Sequence, residues 1–289
     1  MNETGTNRKL VLEADRKPAA FRSIPEDTQD LTITTLLPSE TTELLLLGHR
    51  LKRLTKLTLR YGLLEHLGFL ESFRSIRSLF VGHLSDLKDF NGISHCVNLT
   101  QLGLTASLSS IGSLAFLRHL PELEELSLEG PNPSKGMDKL EPLQKVRKLN
   151  LYSARWRMDS LPVIFPALED LSISQGGYLS LDFITSLDKL MVLDIAYARK
   201  PVVFDAVGKL PRPHSLQIGH GIRGLQSCSQ FGHSASIERL RINNCTQLND
   251  VCSLVDWPAL RKAEIYDCPL VPIAQIKRLR QTGKVVNGK

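Results

Sequence analysis

Four side chains able to hold a transition metal, His220, Cys228, His233 and Cys245, lie close together in the chain. A zinc site sets its ligands at short fixed intervals, because one turn or hairpin has to present two of them to the same ion. The intervals here are 8, 5 and 12 residues and match no such pattern. Acid–base or nucleophilic chemistry would draw on Asp194, His220 or Cys228, yet no phosphate-cradling GxxxxGK[ST], GxSxG elbow or HExxH surrounds them. Nor is a GxGxxG phosphate turn expected after a strand. The chain is expected not to be an enzyme and to carry no cofactor and no metal.

The elements that must position these residues announce themselves by periodicity. A pattern of apolar-x-x-apolar-x-apolar recurs, and its last two apolar positions are Leu57/Leu59, Leu79/Val81, Leu102/Leu104, Leu126/Leu128, Leu149/Leu151, Leu171/Ile173, Leu193/Ile195, Leu216/Ile218, Leu240/Ile242 and Ala263/Ile265. Successive first members are 22, 23, 24, 23, 22, 22, 23, 24 and 23 residues apart. Each repeat therefore predicts one short parallel strand, whose alternate side chains enter a core shared with the neighbouring repeats. Between strands, apolar residues at three- and four-residue spacing predict short helical or 3₁₀ turns. Pro121, Pro166, Pro211 and Pro258 each stand two residues before the strand pattern, where proline pushes its predecessor out of the helical region.

These residues resemble the leucine-rich repeat family, and the repeats of 22 to 24 residues resemble its internalin and phosphatase-regulator subclass. The resemblance spans residues 51–270 and implies an α/β solenoid. It would be right-handed, with a curved parallel sheet on its concave face and short helical or 3₁₀ turns on its convex face. The family usually places Asn three residues after the second strand leucine, where its side chain bonds neighbouring turns. This sequence has Gly62, Leu84, Ser107, Ala154, Gly176, Ala198, Gly221, Cys245 and Cys268 there, with Asn132 one residue late in its repeat. The expected replacements are water or close packing around the buried backbone groups. Residues 1–50 are read as an N-terminal segment and cap, in which LTITTLL and ELLLLG are two strand-like runs. Residues 51–270 hold about ten repeats, and 271–289 form a C-terminal capping helix and basic tail, with Pro272 near the helix start and Gly283 near its end.

Composition bounds the setting. Hydrophobic residues are 42% and charged residues 23%, a globular balance. The first thirty residues are polar, without an apolar run suited to a signal peptide or membrane span. Five cysteines in no CxxC pair, an odd number, argue against a disulfide framework. Together these predict a cytoplasmic protein of a reducing compartment.

The side chains alternating with the core leucines are expected on the concave face. They are Lys56, Arg60 and Phe80, then Glu125 and Glu129, then Lys148, Tyr152, Asp170, Asp194 and Tyr197, and last Gln217, Arg239, Arg241, Lys262 and Tyr266. Trp156, between two arginines, is a rim contact, whereas Trp257 is expected to pack beneath a convex turn. A net charge of +6 invites nucleic acid, but the face runs basic, acidic, basic, and a duplex calls for one continuous positive stripe. Aromatics among mixed charge suit a protein partner. Expected are another protein as partner, no nucleic acid, no membrane, and a monomer before binding. Analogy with the family implies a bacterial immunity protein, expected to neutralise a cognate toxin. The alternatives are an exported internalin-like effector or adhesin for a host protein, or a regulatory scaffold subunit.

Overall fold

The computed structural model describes residues 9–13, 19–105, 113–130, 140–153, 158–177, 180–198 and 200–288. The chain divides into two compact units, 1–145 and 146–289.

In the first unit six strands pair in parallel and in chain order: β1 (Lys9–Leu12), β2 (Asp30–Leu36), β3 (Lys56–Gly62), β4 (Ser78–Leu84), β5 (Gln101–Thr105) and β6 (Glu125–Glu129). The register aligns Leu10, Leu31, Leu57, Leu79, Leu102 and Leu126, so each apolar pair stacks on the next. Leu57, Leu59, Leu79, Leu102, Leu104, Leu126 and Leu128 are all buried, each contributing about 1.5–3 kcal/mol of transfer free energy. The returns are 3₁₀ turns at Gly68–Ser72, Asn91–His95 and Ala115–His119.

Two N-terminal features depart from the sequence reading. The ELLLLG run, expected as a strand, lies in helix α2 (Thr41–Arg50), with a short α1 (Ala19–Arg22) before it. Four consecutive leucines carry no period of their own; packing decides. Leu44, Leu47 and Gly48 turn inward at helical spacing and Leu46 stays exposed. Gly48 is required there, since a Cβ would lie 2.0 Å from Ser72 Oγ and 2.7 Å from the Phe73 ring. The second departure is β1, too short to stand out by pattern.

In the second unit seven strands pair in the same manner: β7 (Lys148–Tyr152), β8 (Asp170–Ser174), β9 (Val192–Ala196), β10 (Ser215–Gly219), β11 (Arg239–Asn243), β12 (Lys262–Tyr266) and β13 (Val285–Gly288). Helix α3 (Leu161–Ile164) and 3₁₀ turns at Asp182–Ser186, Val207–Lys209, Cys228–Phe231 and Cys252–Asp256 return the chain. Helical turns end two residues before Pro166, Pro211 and Pro258, as one does before Pro121 in the first unit. Phe73, Cys96 and Leu187 close their turns without a proline at ψ of 46–78°, as Leu120 and Phe165 do before Pro121 and Pro166, whereas Leu210 and Trp257 before Pro211 and Pro258 are extended, with ψ of 129° and 107°. Trp257 is buried under its turn, edge-on to Phe231, as expected. Helix α4 (Ile273–Gln281), expected as the final cap, instead leads from β12 into β13, one more paired strand that the sequence reading did not expect.

Candidate functional site

Each strand alternates core residues with residues on its open face, so the register sorts the expected binding residues into rows. In the first unit Asp30, Lys56, Ser78, Gln101 and Glu125 form one row. Thr32, Thr58, Phe80, Gly103 and Ser127 form the next. Lys56 pairs with Asp30 at 3.6 Å. Phe80 is not a free anchor. Its ring lies over Gly82 and Gly103, where an added Cβ would meet it at 2.8 Å, and the Arg60 guanidinium sits 4.8 Å from the ring centroid. Glu129, at the end of β6, is half-buried.

In the second unit the first row reads Lys148, Asp170, Val192, Ser215, Arg239, Lys262, Val285. The middle row reads Asn150, Ser172, Asp194, Gln217, Arg241, Glu264, Asn287. Lys148 reaches Asp170 at 3.7 Å. Burial, and then the neighbouring Asp170 carboxylate, push the Asp194 carboxyl above its ordinary range, while His220 and Arg241 draw it back. Glu264 sits opposite Arg241. Arg241 donates to its Oε2 at 3.2 Å from Nε and 3.0 Å from Nη2, and Lys262 reaches its Oε1 at 2.9 Å. These cations, Lys262 first, hold the Glu264 carboxyl below its ordinary range. Tyr152, Tyr197 and Tyr266 remain exposed, with the Tyr152 hydroxyl accepting from Gln175 Nε2 at 2.6 Å. Trp156 lies outside the described residues, as do Ser107, Asn132 and Ala154.

At two of the missing asparagine positions a thiol bonds the backbone, Cys245 Sγ to Asn243 O at 3.7 Å and Cys268 Sγ to Tyr266 O at 3.2 Å, and the corner just before several of these positions carries backbone bonds. The residue two places after the second apolar position adopts a left-handed conformation at Thr35, Tyr61, His83, Ser153, Gln175, Tyr197, His220, Asn244 and Asp267, with φ between 51° and 59°. That turn aims the corner amides at the next repeat: Ser153 N donates to Ser174 O, Gln175 N to Ala196 O, His220 N to Asn243 O and Asn244 N to Tyr266 O, at 2.8–3.1 Å. Neighbouring corners also stack side chains, Tyr61 on His83 at 5.2 Å and Tyr197 on His220 at 5.0 Å. Tyr61, His83 and His220 were not among the expected contact residues. The sequence signal that would have found them is an aromatic or imidazole ring at this one position in successive repeats.

The groups considered for chemistry do not gather into one site. His220 is engaged with Tyr197 at a corner, His233 is exposed, and Cys228 and Cys245 are buried. Burial pushes Cys228 up, and a hydrogen bond with Cys268 together with burial does the same to Cys245. Among the described residues no three His, Cys, Asp or Glu side chains gather around a common metal position. The expectation about GxGxxG needs correction: Gly219, Gly221 and Gly224 do form that pattern after β10. The chain then enters a turn and the four-residue 3₁₀ segment at Cys228, so there is no α-helix N-terminus to receive a phosphate.

No family model matches this chain, and no curated protein matches it. Among solved structures, an internalin from Listeria monocytogenes str. 4b F2365 is similar at a TM-score of 0.51 and 14% identity, covering 83% of this chain and 77% of the internalin. The chain has the leucine-rich repeat fold. Its repeats follow the family pattern in their strands and 3₁₀ turns and depart from it at the asparagine position, which other residues fill, Gly62, Leu84, Gly221, Cys245 and Cys268 among them. Among the described residues no helix is long and apolar enough to cross a membrane.

Proposed function

We propose that this protein is a non-catalytic binding solenoid that sequesters or neutralises a partner protein through the open face of its sheet, in the manner of a bacterial immunity protein. The supporting observation is the second unit's face, where the exposed Tyr152 and Tyr266 end their strands and Tyr197 stands at the corner after β9, in the unit that also carries Asp170, Asp194, Arg239, Arg241 and Lys262. Tyrosine and arginine are the side chains that dominate protein interfaces, and exposed rings on a sheet otherwise favour aggregation. A cytoplasmic location and a one-to-one complex with a cognate toxin belong to this reading. Affinity purification from the cell of origin identifies the partner, and calorimetry with Asp170→Lys/Asp194→Lys then tests the face. At least a tenfold loss of affinity is expected. Unchanged affinity would remove Asp170 and Asp194 from the interface.

The internalin likeness favours a second reading, an exported adhesin or effector whose partner is a host protein. Cell fractionation separates the two: recovery at the cell surface or in the medium supports export, and recovery in the cytoplasm supports the immunity role. A regulatory scaffold would instead co-purify with an enzyme whose activity it changes.

A further inference from the structure

Opposite charges face each other across the sheet at most charged positions. Lys56 meets Asp30, Lys148 meets Asp170, and just ahead of the strands Lys145 meets Glu122 and Arg147 meets Glu169. The first row of the second unit breaks the rule at β11 and β12, where Arg239 lies directly opposite Lys262. Strands are about 4.8 Å apart, and like charges placed opposite one another destabilise a sheet. Arg241 stands on the same face, two residues after Arg239. Arg241 and Lys262 hold the single carboxylate of Glu264, and with Arg239 lining the same hollow the formal local charge is +2. They line an open hollow of about 390 Å³ with Ser215 and Gln217.

Glu264 does not consume the hollow's donors. Its side chain is only 14% exposed, and it holds Arg241 through Nε and Nη2, leaving Nη1 for another acceptor. Arg239 is exposed and makes no side-chain hydrogen bond or ion pair among the described residues. The half-buried carboxylate therefore braces two cations whose side chains stay 51% and 40% exposed, with donors left over.

We propose that the β11–β12 end of the face receives an acidic stretch of a protein partner, with aspartate or glutamate carboxylates entering the hollow between Arg239, Arg241 and Lys262. This rests on the protein-binding reading above and adds the partner's charge at one end. A polyanion of continuous charge fits less well, because Asp194 occupies the middle row two strands from Arg241, about 10 Å away, with Asp170 beside it on β8. An acidic segment of a protein can end, or change sign, before it reaches them.

The test is a fluorescence-anisotropy titration of the full chain with a labelled octapeptide of alternating aspartate and glutamate, beside an oligothymidylate of equal charge. Saturable, salt-sensitive peptide binding is expected, with amide shifts in a nitrogen-15 spectrum centred on β11 and β12. Arg239→Glu/Arg241→Glu should weaken it at least tenfold. Arg239→Gln, at an exposed unpaired side chain, gives the same answer at smaller size if the double reversal unfolds. Glu264→Gln should tighten peptide binding several-fold, because the local charge rises to +3, a gain that damage to the fold would not produce. Absent binding, binding that ignores these variants, shifts centred on α4, or tighter binding of the oligothymidylate would each overturn the proposal. Failure here is separable from failure of the broader reading. A captured partner weakened by Asp170→Lys/Asp194→Lys but indifferent to the arginine reversal keeps the face and loses the acidic site.

Discussion

The open faces of the two units are built from the same rows of side chains and put them to different use. In the first unit the face is closed on itself: Phe80 fills the space left by Gly82 and Gly103, Arg60 covers its ring, and Lys56 is matched to Asp30. In the second unit Lys148 is likewise matched to Asp170, and Tyr197 stacks on His220 as Tyr61 does on His83 in the first, but Arg239 and Lys262 oppose each other without cancelling. A side chain that satisfies its neighbours explains itself by stability. Like charges set opposite one another are unfavourable by themselves, and the proposed acidic partner is placed where they stand, in the second unit.

The largest expected effect compares the same repeat position in the two units. Gly62 and Gly221 both stand where the family has asparagine. Gly62 has φ of +132°, and a Cβ there would lie 2.2 Å from Leu36 O and 2.6 Å from Leu36 N, whereas a Cβ at Gly221, with φ of +79°, meets nothing within 4 Å. Gly62→Ala should therefore cost roughly 3 kcal/mol or more, from strain plus a backbone clash. Gly221→Ala should cost only about 1–2 kcal/mol for its left-handed backbone. Urea unfolding curves measure both, and equal losses would show that the corners of the two units are alike.

Next comes the contrast between aromatic residues. Phe80→Ala should lower stability by about 1–2 kcal/mol, since it empties the site over two glycines, and should leave partner affinity unchanged. Tyr266→Ala should fall within about 0.5 kcal/mol of the parent in stability while weakening the captured partner. The reverse result would move the binding face to the first unit.

The strands were legible because leucine at alternate positions is the direct consequence of a shared core, and each pair from Leu57/Leu59 to Ala263/Ile265 occupies a strand. Strand β13 escaped because Gly288 stands in register with Ile265, where a second apolar residue would have completed the pattern. Helix α2 was misread because its four leucines have no period until Ser72 and Phe73 are seen against Gly48. The left-handed corners had no signature, since Thr, Tyr, His, Ser, Gln, Asn and Asp all serve. The site was half legible. Alternation put the right residues on the face, but only register shows Arg239 meeting Lys262 and Phe80 meeting Gly103.

The smallest expected effect lies within the second unit, between two carboxylates in one row whose surroundings pull them in opposite directions. Glu264 is held below its ordinary range by Lys262 and Arg241, so its contribution to stability is present above the unfolded carboxylate range and is lost as pH falls through its folded value. Asp194 is raised by burial and by Asp170, so its protonated form is the one the fold favours. Its contribution is full below the unfolded range, about pH 4, and disappears as pH rises through the folded value. Asp194→Asn should therefore hold or slightly raise the melting temperature at pH 7 and flatten its change between pH 4 and 7. Glu264→Gln should lower the melting temperature slightly at pH 7 and leave it unchanged at pH 3. Melting curves of both variants across this range give the comparison. If Asp194→Asn loses stability at pH 7, the charge is there for the fold; if it keeps stability and loses the partner, the sheet tolerates an unfavourable charge for the sake of binding.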